Sequence, residues 1–196
     1  MQTIPWQAMT WTNEPPVAGL ERDELVVATG LRTDFWQRTS YGFIHDDGHF
    51  LGAPFPAEGA IEVSFHADLA AQFDQAGLML RAGPERWLKT GVELSDGQRY
   101  ASVVVTNAMS DWSVAPLPPG AEDAVLTFRA SRQGDAVTVR YRLGDDDGWR
   151  LLRVAYVPPE AELLAGPMCC SPTREGLRVR FAPVRIGPPD EALHEA

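Results

Sequence analysis

The stretch that most constrains the fold runs from Phe73 to Ser113, FDQAGLMLRAGPERWLKTGVELSDGQRYASVVVTNAMSDWS. Three strand-length runs, 76–82, 87–94 and 100–106, are joined there by short turn-forming segments. Successive strand side chains point to opposite sides of a sheet, so each run has two faces. In the middle run Leu88, Thr90, Val92 and Leu94 share one side, with Trp87, Lys89, Gly91 and Glu93 on the other. In the first, Ala76, Leu78 and Leu80 oppose Gln75, Gly77, Met79 and Arg81; in the third, Ala101, Val103 and Val105 oppose Ser102, Val104 and Thr106. One face is greasy and predicts a core. The other carries a cation, a carboxylate, an amide, hydroxyls and an aromatic ring, the mixture a ligand-binding sheet face needs.

The rest of the chain repeats this pattern. Pro15-Pro16 blocks an N-terminal helix, leaving 6–11 as an early edge strand and 13–16 as its turn. A short strand follows at 24–29. Thr33-Asp34-Phe35-Trp36, a polar lead-in to paired aromatics, predicts a loop that plugs one end of a core. Segments 41–44 and 49–51 flank Asp46-Asp47-Gly48, a hairpin signal. Run 60–68 alternates, with Ile61, Val63, Phe65 and Ala67 inward and Glu62, Ser64, His66 and Asp68 outward. After a proline-rich loop at 115–123, segments 125–130 and 136–143 form a hairpin across Gln133-Gly134-Asp135. Strands at 149–155 and 163–169 lead to a closing strand at 177–186. Apart from one turn near 70–73, nothing has helical period. About a dozen strands at short spacing predict an all-β sandwich. With 196 residues and no composition break or internal repeat, 1–196 reads as a single β-sandwich domain, its core about 11–186 and its tail 187–196 frayed.

The segments DQAG, WLKTGVE and SVVVTNAMSDWS, with NEPP (13–16), TDFW (33–36) and CSP (170–172), together resemble the regulation-of-enolase family. They keep that family's order from about Trp11 to Ile186. The resemblance implies a concanavalin A-like lectin/glucanase fold, a jelly-roll β-sandwich of two antiparallel sheets. It implies no settled activity, because a shared fold does not transmit one. The family's name adds a protein-interaction regulator of a metabolic enzyme to the possible readings.

A net charge of −10, from 27 acids against 17 bases, disfavours nucleic acid and anionic membrane surfaces as partners. No run approaches the roughly 20 apolar residues that cross a bilayer. MQTIPWQAMTW lacks the basic region and small-residue cleavage site of a signal peptide, so a cytoplasmic chain is expected. Cys169 and Cys170 are adjacent and face opposite ways on a strand, which predicts reduced, buried thiols. No cofactor is predicted, since there is no phosphate-binding glycine loop, GxSxG elbow or zinc-ligand spacing.

The candidate site is the polar face of the central runs. Paired in register, Gln75, Lys89, Glu93 and Thr106 share one concave surface. Trp36 and Trp112 offer aromatic planes at its rim, and Asp74 and Asp111 stand at strand ends. Lys89 is the chain's sole lysine. Beside it Glu93 is expected to stay ionised. The bland alternative is a cross-strand Lys–Glu pair that only solvates the sheet. His45-Asp46-Asp47-Gly48-His49 has metal-ligating residue types, but its Asp-Gly reads as a turn and no metal is assigned. Asp145-Asp146-Asp147-Gly148 reads as a solvated turn, and His66 stands near Glu62. Arg140, Arg142, Arg178 and Arg180 make a basic ladder if their strands adjoin; otherwise they pair with surface acids.

The leading functional reading is an intracellular lectin-like domain holding a saccharide or similar polar small molecule. An enzyme is the alternative: a hydrolase, lyase or isomerase with Glu93 as base and Lys89 as acid or electrostatic stabiliser. Glycoside cleavage needs two carboxyls, roughly 5–5.5 Å apart for retention or 6.5–9.5 Å for inversion. Glucanases of the resembled fold set a Glu-x-Asp-x-Glu pattern along one strand; Lys89, Gly91 and Glu93 supply one acid. A protein partner is the third reading.

Overall fold

The computed structural model describes residues 1–121, 124–144 and 148–193. Its strands are β1 (Gln2–Thr3), β2 (Thr10–Thr12), β3 (Val17–Glu21), β4 (Glu24–Ala28), β5 (Phe35–Gln37), β6 (Ile44–Asp46), β7 (His49–Phe55), β8 (Gly59–Ala67) and β9 (Gln75–Gly83). There follow β10 (Arg86–Ser95), β11 (Gln98–Asn107), β12 (Met109–Pro116), β13 (Leu126–Gln133), β14 (Ala136–Leu143), β15 (Arg150–Tyr156), β16 (Leu163–Cys170), β17 (Arg178–Phe181) and β18 (Arg185–Gly187). One layer runs β15-β14-β13-β8-β17-β4-β3, with β18 on β8 and β1 on β18. The other runs β12-β11-β10-β9-β16-β7-β2, and β5 with β6 forms a separate hairpin. This is the expected antiparallel two-layer sandwich.

Period-two alternation explains the core. Val63, Phe65, Phe128, Val139, Val179 and Phe181 of the first layer meet Leu78, Leu80, Leu88, Val92 and Val103 of the second, all buried. Each such side chain contributes roughly 1.5–3 kcal/mol by leaving water. Phe65 lies 6.0 Å from the Phe128 ring and 5.9 Å from that of Phe181, within the range of favourable aromatic pairs. Cys169 joins this core and Cys170 a second cluster on the opposite face, both as free thiols.

Several local expectations need correction. Asp46-Asp47-Gly48 is not a hairpin turn: β6 pairs with β5, while β7 departs to lie between β2 and β16. The Asp47 and Gly48 amides donate instead to the Asp34 carbonyl, at 3.0 and 2.8 Å. Gly48 is small because a Cβ there would lie 2.4 Å from the Phe35 ring. Phe35 and Trp36 are not an end plug; they form β5, laid across the outer face of the second layer. Residues 6–11 split into a 3₁₀ turn, Trp6–Ala8, and a strand that starts only at Thr10. Asp190 accepts from Arg129 and Arg140 and donates its amide to Ser131 Oγ at 2.8 Å. Strands β14 and β17 are separated by β13 and β8, so the four arginines form no ladder. Arg178 and Arg180 pair with Glu21 at 3.4 and 3.0 Å, the surface pairing that was the alternative.

Candidate functional site

The outer face of the second layer is roofed, not open. The β5–β6 hairpin lies over it, and Phe35, Trp36, Phe50, Met79, Trp87, Val104, Met168 and Cys170 form an apolar cluster between. Polar latches hold the roof. Arg81 donates twice to the Asp46 carboxylate, at 2.7 and 2.8 Å, and Lys89 Nζ donates to Asp34 Oδ1 at 2.9 Å. Gln37 donates through its side chain to the Pro84 carbonyl at 3.1 Å, and its amide donates to Ser110 Oγ at 2.9 Å. Asn13 Nδ2 donates to the carbonyls of Asp46 and Gly48.

Gln75, Lys89 and Glu93, expected on an open surface, are therefore only 6%, 4% and 5% exposed. The physical reason lies on their own face. Met79, Trp87 and Val104 share it, and that much apolar area draws the aromatics of β5 over it.

A cavity of about 140 Å³ survives under the roof. Gln75, Lys89, Glu93 and Val104 line it from the sheet, Trp112 from β12, and Asp34, Trp36, Tyr41 and Phe43 from the roof; Phe73 and Pro172 close the sides. Register explains the convergence, since Glu93 stands directly opposite Gln75 across β9–β10. Trp112 stands opposite Val104 across β11–β12. Glu93 Oε2 accepts from Ser102 Oγ at 2.7 Å and Trp112 Nε1 at 3.2 Å, and that indole also donates to Ser102 Oγ at 3.0 Å. Gln75 Nε2 donates to the Phe73 carbonyl at 3.1 Å.

Burial works against the Lys89 ammonium, but Asp34, helped by Cys170 and Glu93, keeps its pKa above the ordinary value. Glu93, expected to stay ionised beside Lys89, has its pKa raised instead. Burial pushes its carboxyl up, and Lys89 with the Ser102 and Trp112 bonds reverses only part of that. The cation beside it is hydrogen-bonded to Asp34, whose own charge raises Glu93 further.

A carboxyl whose native pKa is raised contributes stability that is fully present below its unfolded value and is lost as pH rises through the native value. Glu93→Gln is therefore expected to gain on the parent as the medium goes from about pH 4 to about pH 8. Thermal midpoints across that range check this; parallel curves for the two proteins would refute it.

Three expected site residues lie elsewhere. Asp74 is sealed: its Oδ2 accepts from the Ala70 and Ala71 amides at 3.0 Å each and from Arg174 at 2.9 and 2.6 Å. Thr106 bonds Ser110 at 2.8 Å and stands opposite Trp87, beyond the cavity. Asp111 is adjacent to Trp112 on a strand, so parity turns it to the other side, where Arg153 meets it at 3.3 Å.

The histidine–aspartate run is dispersed as well. His45 pairs with Asp47 at 3.3 Å, Asp46 is held by Arg81, and His49 lies between the Gly30 amide and the Asn13 carbonyl, burial pushing its pKa down. Glu62 serves Arg129 at 2.7 Å, while His66 is 3.8 Å from Asp68. Asp145 to Asp147 lie outside the described residues. Sequence reasoning missed Asp34, Ser102, Tyr41, Phe43, Phe73 and Pro172. The signal for Asp34 was present: a sole lysine among apolar neighbours needs a counter-ion.

The family model described as "Protein of unknown function (DUF1349)" matches residues 11–189. Regulation of enolase protein 1 of Saccharomyces cerevisiae is 37% identical over 187 residues, 95% of this chain and 93% of that protein. A solved structure of a functionally unknown protein from Saccharomyces cerevisiae superposes with a TM-score of 0.88 at 34% identity, over 95% of this chain and 99% of that one. Xylan β-1,4-xylosidase from Bacillus halodurans C-125 superposes at 0.70 with 12% identity, over 94% of this chain but 38% of the enzyme. At that identity the likeness concerns the fold alone.

Proposed function

The chain belongs to the DUF1349 family of proteins of unknown function, and from that premise we propose a lectin-like binding protein whose roofed cavity takes one saccharide ring or a similarly small polar molecule. The observation that carries this reading is the Glu93–Ser102–Trp112 triangle beside the Lys89–Asp34 pair, in a cavity with aromatic walls. Ligand pockets combine apolar walls with a few converging polar groups in this way. At about 140 Å³ the cavity is well below the roughly 300–1,000 Å³ of drug-sized sites, so a single ring suits it and a chain of sugars does not. No described hydrogen bond engages Oε1 of Glu93 or Oε1 of Gln75, which leaves two acceptors for ligand hydroxyls. Trp112, 37% exposed, offers an aromatic plane at the mouth, whereas Trp36 is a wall. The fold shared with a xylosidase suggests the ligand class to test first.

Calorimetric titration with neutral monosaccharides tests the proposal. Saturable binding is expected, weakened about tenfold or more by Glu93→Gln and by Trp112→Ala. Absence of binding, or binding that survives both changes, overturns it.

A second reading, an enzyme, is favoured by the raised Glu93 carboxyl, since a buried acid tuned toward neutrality suits proton transfer. Glu93 would be the acid–base group, Lys89 an electrostatic stabiliser and Asp34 a second carboxylate. Turnover of chromogenic glycosides that Glu93→Gln abolishes would decide for it. The name of the yeast relative, Regulation of enolase protein 1, motivates a protein partner as a third reading, testable by co-purification. A cytoplasmic site of action and a single folding unit belong to the same proposal; no helix among the described residues is long and apolar enough to cross a membrane.

A further inference from the structure

Among the described residues, Arg132 is a buried cation without an anion. On β13 it stands opposite Gly59 and Val137, in step with the core pairs Phe128–Tyr141 and Ala130–Val139. That parity sends its side chain into the space between the layers at one end of the sandwich. Only 1% of the residue is exposed. Nη2 donates to the carbonyls of Pro158 and Pro159 at 3.2 and 2.9 Å, and Nε has no partner. No carboxylate among the described residues pairs with it, although the other buried cations, Arg81 and Lys89, each have one. Burial lowers its pKa.

A guanidinium withdrawn from water without a counter-charge is costly, and an anion relieves the cost. Arg132 lines an open groove of about 540 Å³ with Arg81, Phe55, Leu163 and Leu164. Arg81 is already neutralised by Asp46. Glu160 and Glu162 also border the groove, exposed and without an ion pair among the described residues.

We propose that this groove is an oxyanion site, in which Arg132 donates to a carboxylate or phosphate group whose organic body rests on Phe55, Leu163 and Leu164. It is independent of the roofed cavity and of the function read from it. The Pro158 and Pro159 carbonyls orient the guanidinium, and Glu160 and Glu162 lower the affinity for a bare anion.

The test is thermal unfolding of the full chain in inorganic phosphate, acetate or chloride at matched ionic strength. Phosphate or acetate is expected to raise the midpoint saturably while chloride does not, and whichever saturates at lower concentration identifies the group. Arg132→Gln is expected to weaken that binding about tenfold or more. Equal shifts in the parent and Arg132→Gln would overturn the site. The double change Glu160→Gln with Glu162→Gln keeps the test decisive should Arg132→Gln fail to fold. Tighter oxyanion binding supports the proposal. Unchanged affinity, or a lower midpoint in chloride that marks the two glutamates as the missing counter-ions, overturns it.

Discussion

Asp34→Asn is expected to cost about 3–5 kcal/mol of folding stability, because it strands the Lys89 ammonium under the roof without its counter-ion. Lys89 is 4% exposed, and its hydrogen bond to Asp34 Oδ1 is 2.9 Å long. The reverse change, Lys89→Met, is expected to cost markedly less. It leaves Asp34, whose side chain is 14% exposed and whose Oδ1 also accepts the Phe35 amide at 2.7 Å, so the remaining charge is partly solvated. Urea unfolding of both variants measures the asymmetry, provided the m-values match the parent's. A shift in Glu93 should accompany it. Without Asp34 the raised carboxyl loses a negative neighbour and keeps the Lys89 cation, so its pKa should fall, which a carboxyl NMR titration follows. Equal losses for the two variants would show that the pair does not hold the roof as argued.

Gly91→Ala is the second large effect. A Cβ at Gly91 would sit 2.0 Å from the Ala76 carbonyl oxygen and 2.8 Å from Gly77 Cα; one at Gly77 would sit 2.0 Å from the Thr90 oxygen. The obstructing atoms are backbone, so β9 and β10 must separate in the middle of the sheet. Overpacking costs about 1–3 kcal/mol where side chains can yield, and here more than about 3 kcal/mol is expected. Lys89 and Glu93 flank Gly91 at two residues on either side, so ligand binding should fall with stability. Gly83→Ala is the control: it lies in β9, a Cβ there meets nothing within 4 Å, and a change within about 0.5 kcal/mol is expected. If thermal unfolding put the two alanine variants within about 1 kcal/mol of each other, close strand approach would not be why glycine stands at 91.

Much of the candidate site could be read from residue order alone, and the failures have physical causes. Gln75, Lys89, Glu93 and Trp112 reach one cavity because strand parity and antiparallel register follow from backbone geometry. Asp111 failed by the same parity: beside Trp112 on one strand, it had to face away. Asp74 failed because a carboxylate at a strand end is as useful to local amides and Arg174 as to a ligand. Glu93 was misjudged because the roof that buries it comes from a distant segment, and that burial raises its carboxyl more than Lys89, itself bonded to Asp34, lowers it.

The sequence by itself determined the alternating strands, the greasy inner faces, the two-layer antiparallel sandwich, and which polar side chains share the outer face of the second layer. The alternation and the shared faces follow from a two-residue period that each segment carries within itself, and the two antiparallel layers from the family resemblance. Only the tertiary structure decided that the outer face is roofed. The contact that decides it joins Asp34 to Lys89 across 55 residues, and it forms because the aromatics of β5 find Met79, Trp87 and Val104 waiting on that face. Alternation says which way a side chain points, but not which other part of the chain will cover it.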